Sequence, residues 1–150
     1  MNGFNTFAKQ DKVLIGMSGG VDSSVAVHIL QEQGFAVQGA VIRFSPAHEG
    51  AVAAARESAE ALHIPLHVLD AEQAFESHVV QPFCESYCAG RTPNPCIMCN
   101  PLVKFRLLAD KADELGCAYI ASGHYARIDV GADGIHRVAV PASAARDQSY

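Results

Sequence analysis

The apolar positions change period several times along the chain. Val13, Leu14 and Ile15 form an unbroken apolar run, the pattern of a strand buried on both faces. Val21, Val25 and Ile29 then recur at every fourth residue, which predicts a helix with these three on its inner face, closed by Gly34. Residues Ala36–Phe44 read as a second strand, the alanine-rich run Glu49–His63 as a helix, and Leu66–Leu69 as a short strand entered through Pro65. Helical spacing around Glu72–Tyr87 precedes a stretch in which Pro93, Pro95 and Pro101 predict a rigid, irregular loop. A helix over Val103–Leu115 stopped by Gly116, and a strand over Ala118–Ala121, complete the alternation. Strands alternating with helices predict an α/β fold with a doubly wound parallel sheet and ligands at the carboxyl ends of its strands. The tail "YARIDVGADGIHRVAVP" has two short alternating runs around Gly131–Gly134, the mark of a β-hairpin. The expected organisation is one domain over 1–128, with 129–150 forming the hairpin and the start of a further domain.

Composition narrows the setting. A chain of 150 residues is about one domain and buries enough surface to stand without disulfides. No apolar stretch reaches membrane-spanning length, and "MNGFNTFAKQDK" has neither a signal-peptide core nor an arginine. Five cysteines without an export signal point to a reducing, cytoplasmic setting, where thiols serve as nucleophiles or metal ligands. The net charge of -5 argues mildly against a nucleic-acid partner. Over residues 84–111, however, Arg91, Lys104, Arg106 and Lys111 outweigh Glu85 and Asp110, and binding follows local patches.

Two stretches carry chemistry. Ser18-Gly19-Gly20-Val21-Asp22-Ser23-Ser24 lies between the first strand and the first helix. Helix amides without intrahelical partners point into such a loop and favour an anion, glycines allow positive φ and close approach, and serine hydroxyls can donate to phosphate oxygens. The loop lacks the Gly-Lys-Ser/Thr ending of the P-loop and the Gly-x-Gly-x-x-Gly of the dinucleotide fingerprint. A plain turn capped by Asp22 or Ser23 is the alternative. The second stretch is "FCESYCAGRTPNPCIMCNPLVKF". Cys99 precedes the helix expected at Val103, whose amino terminus would lower the thiol pKa and favour the nucleophilic thiolate. Cys96-x-x-Cys99, with Cys84 and Cys88 nearby, supports a rival reading in which these thiols bind zinc or an iron–sulfur cluster. Cys84 and Cys88, at helical spacing, would otherwise face the core, and Cys117 would be packing.

The first loop resembles the pyrophosphate loop of the ATP pyrophosphatases, which include GMP synthetase, NAD synthetase and tRNA thiolases. The block Ala89-Gly90-Arg91-Thr92-Pro93-Asn94-Pro95, followed by Cys99-Asn100 and Lys104-Phe105, is similar to the signature of the tRNA-specific 2-thiouridylases. Ala121-Ser122-Gly123-His124-Tyr125-Ala126-Arg127 and Asp147-Gln148-Ser149-Tyr150 agree with it in order. The resemblance implies ATP and Mg2+ as cofactors, with Gly16, Met17, Ser18, Gly19, Gly20, Val21, Asp22, Ser23, Ile42 and Gly123 at the nucleotide. It implies contacts to tRNA from Asn94, Pro95, Cys96 and His124, and from Arg146, Asp147 and Gln148, with Cys99 as nucleophile. The implied reaction adenylates the wobble uridine of tRNA for exchange of its 2-oxygen by sulfur from a persulfide donor protein. Adenylation of a small molecule, and a non-catalytic ATP- or metal-binding piece, are the alternatives. Cys96 stands where the commoner form of the motif has aspartate. Members also continue past the position of Tyr150 to a second cysteine, which implies that residues 1–150 alone do not complete sulfur transfer.

Overall fold

The computed structural model describes residues 11–143, 145 and 147–149. In chain order β1 (Lys12–Gly16), α1 (Val21–Glu32), β2 (Ala36–Arg43), α2 (Glu49–Ala61) and β3 (Leu66–Asp70) alternate. A bent helical stretch follows, made of α3 (Glu72–Phe75), a π-helical turn at Glu76–Val80 and α4 (Gln81–Cys88). A second comprises α5 (Pro95–Cys99), a π-helical turn at Asn100–Lys104 and α6 (Phe105–Leu115). β4 (Tyr119–Ser122) and an antiparallel hairpin of β5 (Arg127–Val130) and β6 (His136–Ala139) come last.

The four parallel strands lie in the order β3-β2-β1-β4. Their period of two divides the apolar residues between the faces. Val13, Ile15, Val37 and Val41 pack with Val27 of α1 and with Val52, Ala55 and Ala59 of α2. Leu14 and Ala40 pack on the opposite face with Leu108 and Ala112 of α6. The sheet is thus doubly wound, as the alternation predicts. The chain leaves β1 toward β2 on one side and returns as β4 on the other, so the crevice at the carboxyl end of β1 is the switch point where such folds take ligands.

Three expectations need correction. Val21, Val25 and Ile29 are 78%, 49% and 47% exposed, whereas α1 buries Ser23 and Val27. Ser23 turns inward to close the preceding loop, which fixes the helix phase and rotates the valine stripe to the outside. The proline-rich segment is irregular only as far as Asn94, because Pro95 starts α5. A proline at the first helical position loses nothing, since its missing N–H would have no intrahelical acceptor. Cys84 and Cys88 are exposed rather than facing the core, while Cys117 is buried as expected.

Prolines also mark both π-helical turns. Phe105 N–H donates to Asn100 O just after Pro101, and Gln81 N–H donates to Glu76 O just before Pro82. A proline inside a helix removes one i→i−4 bond and crowds the carbonyl four residues back, and a widened turn relieves that crowding. At the carboxyl ends of β2 and β3, Arg43 bonds to Asp70 and, at 3.4 Å, to Glu72, with Glu49 at 3.8 Å. In the hairpin, Ile128 faces Val138, and Ile128, Val130 and Val138 are more than half exposed. Among the described residues no helix is long and apolar enough to cross a membrane.

Candidate active site

The loop between β1 and α1 closes on one buried hydroxyl. Ser23 is 3% exposed, accepts from Ser18 N–H at 3.4 Å and donates to Gly20 O at 3.0 Å. Ser24 also donates to Gly20 O, at 3.2 Å. Both hydroxyls therefore shape the loop, and Gly20, not Asp22 or Ser23, occupies the N-cap position, with no side chain capping the helix. The first amides of this twelve-residue helix remain directed toward whatever the loop holds.

The glycines divide their work. Gly19 has φ +74°, and a Cβ there would lie 2.7 Å from Ala54 Cβ and 2.9 Å from Ala55 N of α2. Gly20 has φ -93°, so only one of the two adopts the left-handed conformation expected of both. Gly16 abuts α6, since a Cβ there would meet Leu108 Cδ1 at 3.4 Å.

A cavity of about 290 Å³ opens over this loop. Of the residues singled out for the nucleotide, Gly16, Met17, Ser18, Asp22, Ser23, Ile42 and Gly123 line it, and His124 joins them. Gly19, Gly20 and Val21 do not line it. Ala40, Val41, Phe44, His48, Ala51, Lys104, Leu108 and Ser122 complete the wall, and apart from Ser122, within the block Ala121–Arg127, no sequence signal marks them for this site. Phe44 and His48 pack edge to face with centroids 5.4 Å apart, and His48 is held by Ser45 Oγ at 2.9 Å from its Nδ1. His124 stacks obliquely on Phe105 at 5.5 Å, and its Nδ1 lies 2.6 Å from Ser122 Oγ. Burial, then the Lys104 charge, pushes the His124 pKa below its ordinary value, which favours the neutral ring at the cavity wall.

The remaining candidates lie around this cavity rather than in it. Asn94 caps α5, its Oδ1 accepting from Cys96 N–H at 3.1 Å. Asn94 and Pro95 line a second, mostly apolar cavity of about 330 Å³ with Val79, Phe83, Ile97 and Met98. Cys96 is exposed, and Cys99 is half-buried against a cluster containing Ala71, Val79 and Val103. Cys99 sits at the end of α5 and not before a helix, so the expected dipole activation is absent. Burial raises its pKa, the Lys104 ammonium opposes that rise, and the Cys96 thiol adds to it. Lys104 thus connects the thiol to the cavity. Among the described residues no group of three His, Cys, Asp or Glu side chains stands ready to hold a metal ion.

The chain's end is tied to the same place. Tyr125 O–H donates to Asp22 Oδ2 at 3.0 Å, while Tyr125 N–H donates to Gln148 Oε1 at 3.0 Å and Gln148 N–H to Tyr125 O at 2.9 Å. Asp147 Oδ1 accepts from Ser149 N–H at 3.0 Å, and bonds from Ser149 hold its pKa below the usual carboxylate range. Arg146 and Tyr150 lie outside the described residues.

Sheet order, the loop after β1 and the cavity at the switch point define a doubly wound α/β fold with its candidate ligand site at the carboxyl end of β1. The glutamine-dependent NAD+ synthetase of Acinetobacter baumannii, solved with ADP, shares this fold at a TM-score of 0.57 and 19% identity, over 77% of this chain and 22% of that one. The NMN synthetase of Francisella tularensis does so at 0.51 and 21%, over 79% and 47%. Residues 11–150 match the family described as the tRNA methyl transferase HUP domain, and the chain belongs to that family. It is 45% identical to the tRNA-specific 2-thiouridylase MnmA of Syntrophotalea carbinolica over 95% of this chain and 42% of that protein. It is 46% identical to that of Helicobacter hepaticus over 93% and 41%. The chain therefore spans about four-tenths of the length of these relatives.

Proposed function

We propose that this chain is the ATP-binding and base-activating part of a tRNA-specific 2-thiouridylase. The observation that carries the reading is the shared helical column 95–115, which bears Cys99 and also puts Lys104 and Leu108 into the wall of the cavity above the glycine loop. A phosphate cradle beside a thiol suits sulfur chemistry on an activated base.

ATP would lie with its phosphates on the Gly16–Ser23 loop, against the α1 amides, and with its base toward Ile42, Phe44 and Gly123. The crowded left-handed Gly19 lets the loop backbone pack against α2, which sets the turn proposed to face the phosphates. Magnesium, held by Asp22 and the phosphates, would offset charge on the departing pyrophosphate. A uridine carbonyl oxygen is a poor leaving group. Its attack on the α-phosphate turns it into an adenylate, whose AMP a sulfur nucleophile then displaces. Neutral His124 and the Asn94–Cys96 turn are the groups proposed to meet the base, which must leave the anticodon stack. Arg146 and Asp147 would approach the RNA, as would Gln148, which bonds to Tyr125. A persulfide protein is the proposed sulfur donor, and a reducing cytoplasm suits the free thiols.

The test is pyrophosphate release by the 150-residue chain with ATP and an anticodon stem-loop bearing uridine or cytidine at the wobble position. Release stimulated by the uridine RNA alone is expected. Release indifferent to RNA would overturn the reading in favour of small-molecule adenylation.

A further inference from the structure

We propose that Tyr125 is a positioning residue for the nucleotide site: its hydroxyl fixes the Asp22 carboxylate, and Gln148 in turn fixes Tyr125. This rests on the reading of the cavity as an ATP site and deepens it, by giving Gln148 a task on the nucleotide side. Asp22 stands in the first turn of α1 and lines the cavity, but it is an exposed side chain with several staggered rotamers open to it. Tyr125 O–H removes that freedom by donating to Asp22 Oδ2 at 3.0 Å. The other oxygen is left to face a cation. One carboxylate beside phosphates is a donor set that Mg2+ commonly takes, so Asp22 fits that ion.

Three separate parts of the chain converge on this carboxylate. A Cβ on Gly123 would lie 3.7 Å from Ser23 N and 3.8 Å from Asp22 C, so the chain leaving β4 passes close beside the start of α1. Tyr125 follows as the middle residue of a tight turn, in which Ala126 N–H donates to His124 O at 3.0 Å. Its ring is half-buried. Its backbone is clamped on both sides by one residue, since Tyr125 N–H donates to Gln148 Oε1 at 3.0 Å and Gln148 N–H to Tyr125 O at 2.9 Å. A hydrogen bond to a charged acceptor is stronger than one between neutral groups, and a carboxylate already held in place does not have to be ordered when the ion arrives.

The experiment measures ATP binding to the 150-residue chain by calorimetry, without RNA, once in magnesium and once in EDTA. Tyr125→Phe should weaken binding about tenfold in magnesium and leave it unchanged in EDTA, because the hydroxyl acts through the carboxylate that meets the ion. Asp22→Asn should lose the magnesium dependence, and adding Tyr125→Phe to it should change nothing further. Gln148→Ala should weaken binding in magnesium and combine less than additively with Tyr125→Phe, with circular dichroism confirming that each variant folds. Equal losses in magnesium and in EDTA, no loss in either, a further loss in the Asp22→Asn background, or an unaffected Gln148→Ala would overturn the proposal. If the parent binds ATP with magnesium and Tyr125→Phe matches it, this proposal alone fails. If binding responds as expected while pyrophosphate release is indifferent to RNA, the base-activating reading alone fails. A parent that does not bind ATP would overturn both.

Discussion

Replacing Gly19 with alanine should destabilise the fold far more than the same change at Gly20, although the two are neighbours in one loop. At Gly19 the backbone is left-handed, φ +74°, which costs an L residue about 1–2 kcal/mol. The new methyl would also stand 2.7 Å from Ala54 Cβ and 2.9 Å from Ala55 N. One of these is backbone and neither belongs to a flexible side chain, so α2 or the loop must move, an overpacking cost of about 1–3 kcal/mol. The sum is about 2–5 kcal/mol, a large part of a domain's total of about 5–15 kcal/mol. At Gly20, φ is -93° and the nearest atom to a Cβ is Ser18 Oγ at 3.4 Å. Loss of a favourable N-cap residue is offset there by a stiffer unfolded chain, leaving a change within about 1 kcal/mol. With a slope of about 1–3 kcal/mol per molar urea, Gly19→Ala should lower the unfolding midpoint by on the order of 1–2 M and Gly20→Ala hardly at all. Equal midpoints for the two variants, or a lower one for Gly20→Ala, would refute the account of why the loop needs its first glycine.

Lys104→Met should raise the Cys99 pKa further and slow alkylation of that thiol by iodoacetamide about threefold or more at neutral pH; an unchanged rate would remove the ammonium from the thiol's surroundings. His67, held by Gln38 Oε1 at 2.8 Å, has its pKa pushed below 6.5 first by burial and then by Lys111. The unfolded state therefore binds this proton more readily, so the stability tied to the neutral ring is present above pH 6.5 and is lost as the pH falls below it. Urea titrations at about pH 7.5 and about pH 5.5 should show a smaller acid loss in His67→Gln than in the parent, and parallel losses would count against it. Leu108→Ala removes a side chain only 1% exposed that also walls the cavity; it should cost about 2–5 kcal/mol in thermal unfolding and weaken ATP binding in calorimetry.

How far the fold could be read depended on where one local signal dominated. The apolar run Val13–Ile15 and the left-handed Gly116 after Leu115 marked their elements within a residue. The end of α2 carried no glycine; His63 takes φ 54° beyond it, a conformation that histidine favours only weakly beside glycine. The phase of α1 was misread because three β-branched residues at helical spacing outweighed one serine, yet Ser23 is the residue the loop draws inward. The prolines were read as breakers although Asn94-Pro95 is a start signal, a capping side chain followed by a residue suited to the first turn. Recognising that pair would have moved Cys99 from before a helix to within one. At the cavity, Ser18 and Asp22 were legible from the glycine- and serine-rich turn between strand and helix, and Gly123 only through the resemblance carried by the block Ala121–Arg127. Phe44, His48 and Lys104 were not, since only the packing of β2, α2 and the column 95–115 brings them to the same cavity.

That column also explains why an apparent irregularity sits where it does. A regular helix through residues 95–115 would turn about 100° per residue, and Pro101 cannot supply the bond from its own nitrogen to Ile97 O. The widened turn, closed by Phe105 N–H on Asn100 O, absorbs the missing bond and rotates everything before it relative to everything after. Downstream, Leu108 stays against Gly16 of the loop, and Lys104 stays in the cavity wall. Upstream, Cys99 is carried to the cluster of Ala71, Val79 and Val103, still within the electrostatic reach of Lys104. The thiol is therefore outside the cavity over the glycine loop and yet fixed to its wall through five residues of one helical column. Under the proposed function, a shift of α6 would reach Cys99 through the π-helical turn, because Lys104 and Leu108 in the cavity wall and Cys99 at the end of α5 belong to the same column.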